Sequence, residues 1–141
     1  MPGWAIPAFG GAVFIALHYM FVRAAAGKID DQWGALVVEA TATLGIALSL
    51  LVGRRSGVAS TAAGAAFSAV SGLSISFASV LLFTALRKGG PVASTGTIIL
   101  GGGVALSAAF APWLFGEPYT LRRVIGIALG VAAMWVLGAE S

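Results

Sequence analysis

Residues Trp33–Val52 read WGALVVEATATLGIALSLLV, and this stretch decides the fold. Its twenty residues contain one charged side chain, Glu39, and no proline. About 20 apolar residues, rising 1.5 Å each, carry a helix across the ~30 Å hydrocarbon core of a bilayer. The polar loop GKIDDQ, Gly27–Gln32, precedes the stretch, and Gly53-Arg54-Arg55 follows it. The segment therefore reads as a transmembrane helix bounded by two polar ends.

Four more stretches of the same kind flank it. The hydropathy pattern predicts spans over Trp4–Val22, Ala59–Leu86, Pro91–Phe115 and Leu121–Leu137, linked by loops too short for a second domain. Pro91 suits a helix start, where its missing N–H has no partner to lose. The whole chain, 1–141, is expected to be one transmembrane domain. Composition agrees: 59% of its residues are hydrophobic and 9% charged, against roughly 25% charged in a soluble domain. Residues 8–22 followed by Ala24-Ala25-Ala26-Gly27 imitate a signal peptide. No Lys or Arg precedes that run, however, and Arg23 sits beside the would-be cleavage point, so a retained first span is expected.

The basic residues divide evenly. With alternating spans, Arg54, Arg55, Arg122 and Arg123 fall on one side of the membrane, and Arg23, Lys28, Arg87 and Lys88 on the other. Orientation normally follows an excess of Lys and Arg in cytoplasmic loops, so an even split predicts insertion both ways up. Trp4, Trp33, Trp113 and Trp135 lie near span ends, two per side, as interfacial anchors do. The net charge of +3 comes from pairs at span ends, which excludes a nucleic-acid surface. The chain has no cysteine, hence no disulfide or thiolate metal site. There is also no nucleophile–base set, ligand cluster or phosphate loop, so neither an enzyme nor a cofactor is expected.

Glu39 lies six residues into its span, about 9 Å deep at 1.5 Å per residue. A carboxylate there is costly unless protonated, paired or wet, which makes it the first candidate for function. The alternative is a structural carboxyl bonded to a neighbouring helix. Thr43, one turn deeper, extends the polar face. His18 is the only histidine, at a depth comparable to Glu39, and is a candidate to share its proton; Tyr19 adjoins it. In the third span Gly64, Ser68, Gly72 and Ser76 recur every four residues, a stripe that suits close helix packing. Ser71 is a candidate substrate contact there, and Thr95 in the fourth span another. Gly101-Gly102-Gly103 marks a point where the fourth helix either breaks for a binding site or packs closely. Gly126 and Gly130 form a GxxxG helix-association motif.

Several of these segments resemble one family. LFTALRKG, Leu82–Gly89, followed by Pro91, is similar to the third-to-fourth helix junction of EamA-type members of the drug/metabolite transporter superfamily. FGEPYTLRRVIGIALG, Phe115–Gly130, resembles that family's "GE-x-lT, basic, G-x-x-L-x-x-G" signature, with Gly116, Glu117, Thr120, Arg123, Gly126 and Gly130 on its positions. Val38-Glu39 is similar to its Tyr-Glu or Arg-Glu step, without the aromatic. The family's Pro-Val in the fourth helix is replaced by the glycine triplet. The resemblance implies an all-α membrane fold of five helices, one repeat of a fold that usually has two. It implies export of a small metabolite or toxic organic compound, with protons as coupling ion, from a bacterial inner (plasma) membrane. Single-repeat relatives are similar to small multidrug exporters, which pair as inverted homodimers around an intramembrane glutamate. Glu39 takes that place here. The partners expected are the lipid bilayer, a small-molecule substrate, protons, and an inverted copy or a paralogous half. A non-transporting subunit of a membrane complex is the alternative from another class.

Overall fold

The computed structural model describes residues 3–53 and 57–139. Among them stand five long helices and no strand: α1 (Ala5–Ala25), α2 (Asp31–Val52), α3 (Ala62–Arg87), α4 (Val92–Phe115) and α5 (Leu121–Gly138). Each is long and apolar enough to cross a membrane, so the chain is an all-α, five-helix membrane protein. Large apolar side chains such as Phe14, Leu44, Phe77 and Trp135 point outward. Such a surface is untenable in water and ordinary in lipid, where apolar side chains have nothing to escape.

The helices match the predicted spans, with ends adjusted by local chemistry. α2 begins at Asp31 rather than Trp33 because Asp30 caps it, its carboxylate accepting from the Gln32 and Trp33 amides at 3.0 and 3.2 Å. That leaves Asp31 in the first turn, where its charge favours the helix dipole. α3 starts at Ala62, with the Gly64 amide donating to the Thr61 hydroxyl at 3.0 Å. Thr120 caps α5, accepting from the Arg123 amide at 3.2 Å.

Two compact units make up the chain. One, Ala24–Arg87, is the α2–α3 hairpin. Gly34 and Phe83 set its closeness: a Cβ on Gly34 would lie 2.6 Å from the Phe83 ring. Phe83 and Leu86 are completely buried, and Ala35 and Leu82 nearly so.

The other unit, Met1–Arg23 with Lys88–Ser141, holds most of α1 with α4 and α5. Tyr19 of α1 lies against Gly96 of α4, its ring 3.3 Å from where a Cβ would stand. α4 does not break at the glycine triplet. A π turn, Thr97–Gly101, ends on the first of the three glycines, and Gly102 and Gly103 continue as ordinary α-helix. Met134 of α5 lies over Gly101 and Gly102, at 3.4 Å from each would-be Cβ. These are ordinary van der Waals distances, so Met134 packs on the two glycines without requiring them, and Gly103 has nothing within 4 Å. Pro112 sits inside α4, and the Tyr119 hydroxyl folds back to the Ala109 carbonyl at 2.8 Å. Glu117 pairs with Arg123, which also donates to the Pro118 carbonyl at 3.3 Å, tying the α4–α5 turn to the helix it introduces.

Candidate functional site

Two polar rungs cross the α2–α3 hairpin. At the helix ends, Asp31 accepts from Arg87 Nε at 3.0 Å and from the Thr84 hydroxyl at 2.9 Å, with Arg87 Nη2 at 2.9 Å. Further in, the Ser79 hydroxyl donates to Glu39 Oε1 at 2.6 Å. Asp31 and Glu39 are eight residues apart, as are Ser79 and Arg87. The rungs therefore belong to one antiparallel register, separated by about 12 Å along the helices. Gly34 opposite Phe83 lies between them in the same register.

Glu39 thus sits about 12 Å beyond the true start of α2, deeper than the 9 Å read from Trp33. It is half-buried, while Ser79 is buried at 6% exposure. Its carboxylate has a partner of the kind the sequence reading left open, a hydroxyl on the neighbouring helix. That partner does not neutralise its charge. Arg87, the basic side chain of α3, is engaged with Asp31 at the other rung.

The remaining candidates are placed as follows. The Thr43 hydroxyl donates to the Glu39 backbone carbonyl at 2.8 Å, so this bond steadies the helix rather than the carboxylate. Ser71 is exposed on α3, eight residues before Ser79. In the same unit, no atom lies within 4 Å of a Cβ built on Gly72, and Gly64 meets only the Thr61 hydroxyl of its own helix start. Ser68 is exposed. Gly64, Ser68 and Gly72 of the stripe are therefore exposed, while Ser76 is half-buried.

In the other unit His18 is half-buried and stacks edge-to-face on Tyr19, centroids 5.6 Å apart. Tyr19 and Thr95 are buried. Tyr19 also lines an apolar groove of about 520 Å³ between α1 and α4, with Ala12, Ile15, Gly96, Thr97 and Leu100. The π turn that opens at Thr97 forms part of this wall, and such turns are frequent at functional sites. Gly126 and Gly130 face a second groove, about 330 Å³, opposite Gly101, Ala105 and Ala108 of α4, with Arg123 also lining it. No atom approaches within 4 Å of a Cβ at either glycine.

Ser79, Asp31, Thr84 and Arg87 were not among the predicted site residues. Their signal was present only as hydroxyls in an apolar helix and as charges at span ends. Comparison of the chain with protein-family models, curated proteins and solved structures finds no match. The resemblance to EamA-type transporters accordingly rests on the quoted residues alone.

Proposed function

We propose that this chain is a membrane transporter that exports a small metabolite or toxic organic compound in exchange for protons, with Glu39 as the exchanging group. The observation that carries the reading is the Glu39–Ser79 bond, an acid held by a neutral hydroxyl inside an apolar hairpin. A carboxylate paired with a cation has its charge already compensated, whereas one held by a hydroxyl retains a charge that a proton or a cationic substrate can answer. The α1–α4 groove, at about 520 Å³, is in the size range of small-molecule sites and is apolar, which supports a hydrophobic organic compound as the substrate class. The similarity of Phe115–Gly130 to the EamA signature supports the same class. The even split of basic residues and the exposed Gly64, Ser68 and Gly72 on α3 support assembly as an inverted homodimer, and the EamA resemblance implies a bacterial inner membrane.

Purified protein in proteoliposomes tests the reading. A panel of small organic cations and uncharged metabolites is screened for uptake driven by an imposed proton gradient. Glu39→Gln is expected to abolish the coupled uptake of any compound the native chain carries. Full proton-coupled transport by Glu39→Gln would overturn the assignment.

A further inference from the structure

Hydroxyls inside α3 have a default partner. A Ser or Thr in a helix commonly donates to the carbonyl three or four residues back. Ser74 does so to Val70 at 2.9 Å, and Ser76 to Gly72 at 2.9 Å. Ser79 instead donates across the hairpin to Glu39 Oε1 at 2.6 Å. It sits one turn beyond Ile75, whose carbonyl offers the same backbone alternative.

We infer that Ser79 is a positioning residue for Glu39, holding the ionised carboxylate against α3 and releasing it when the carboxylate takes a proton. This rests on the proton-exchange reading of Glu39. A serine hydroxyl carries one donor and two lone pairs. Toward an ionised Glu39 it donates, a charge-assisted bond of the stronger kind. Toward a protonated Glu39 it turns its own O–H back into α3, as Ser74 and Ser76 do, and the carboxyl is released. The hydroxyl therefore follows the proton without any backbone movement. The charged groups of the packed pair are Asp31 on α2 and Arg87 on α3, with Asp30 at the cap. Asp31 and Arg87 compensate each other at the outer rung, about 12 Å along the helices. That leaves Ser79 as the neighbour on α3 that distinguishes the two states of Glu39.

The test reads the carboxyl directly. Infrared spectra of the reconstituted protein are recorded across pH, and the protonated-carboxyl band that disappears in Glu39→Gln is followed. In Ser79→Ala this band is expected to persist about one pH unit or more higher, the effect of removing a bond to a charged group. Ser79→Thr, which keeps the hydroxyl, is expected to return the profile to that of the native chain. A Ser79→Ala profile that superimposes on the native one overturns the inference, as does an equal shift in both variants. Coupled uptake is measured on the same samples. If Ser79→Ala moves the band while Glu39→Gln transports normally, Ser79 positions a carboxyl that does not drive transport, and the proton-exchange reading alone falls.

Discussion

Gly34 and Phe83 meet so closely that a methyl group on Gly34 would lie 2.6 Å from Phe83 Cε1 and 2.8 Å from Cζ. This contact sets the spacing of the hairpin that carries both polar rungs. Phe83 is completely buried, so its ring has little room to retreat. Gly34→Ala is expected to lower the thermal stability of the detergent-solubilised protein by about 1–3 kcal/mol, the usual cost of overpacking. Phe83→Leu in the same background should recover part of that loss. Unchanged stability of Gly34→Ala would show that the helices separate freely.

The outer rung is unequal. The Arg87 side chain is 49% exposed and that of Asp31 12%. Asp31 also accepts from Thr84 and occupies the first turn of α2. Replacing Asp31 by Asn removes the charge from all three relationships, whereas Arg87→Gln removes one half-exposed partner. Asp31→Asn should therefore cost more, with Arg87→Gln below about 1 kcal/mol and weakening further as salt is raised. Chemical denaturation of the two single variants and the double variant measures both the order and the coupling. The reverse order would contradict this reading.

Gly126 and Gly130 have open space before them within the chain. Converting both to Ala is expected to leave monomer thermal stability unchanged. If the GxxxG face associates with a second copy, the same change reduces the crosslinked dimer fraction at fixed detergent concentration. Lower monomer stability would instead mean that the α4–α5 groove closes on these residues.

Dual insertion is the expectation from the charge split, and reporter fusions at the C-terminus test it. Both reporter types are expected to be active at comparable levels. Adding two lysines to the Gly27–Gln32 loop should drive the population to one orientation. A single orientation in the native chain would indicate a partner of opposite bias. Arg54 and Arg55, half of one side's basic set, lie outside the described residues, so the fusions test the split directly.

The five spans were legible because crossing a bilayer depends on summed hydropathy over about 20 residues, a property of each segment alone. The prominence of Glu39 was legible for the same reason: an ionisable group within such a run stands out against its own neighbours. The helix ends shifted by two or three residues because cap hydrogen bonds, which hydropathy does not register, decide where α2 and α3 begin.

Pairing across the hairpin is different in kind. Ser79 was one of several hydroxyls on α3, and nothing in its sequence neighbourhood separates it from Ser74 or Ser76. Which of them faces Glu39 depends on the rotation and register of two helices, and these are set by contacts as specific as Phe83 against Gly34. The glycine triplet illustrates the same limit. A broken and a continuous helix use the same residue type, and only the backbone, α-helical through Gly102 and Gly103, chose between them. The amino-acid sequence by itself determined a five-helix membrane chain with one acid inside a span, because lipid selects on local polarity. Only the tertiary structure decided that this acid is held by Ser79 while Arg87 is engaged with Asp31, because hydrogen bonds between helices require atoms brought within about 3 Å.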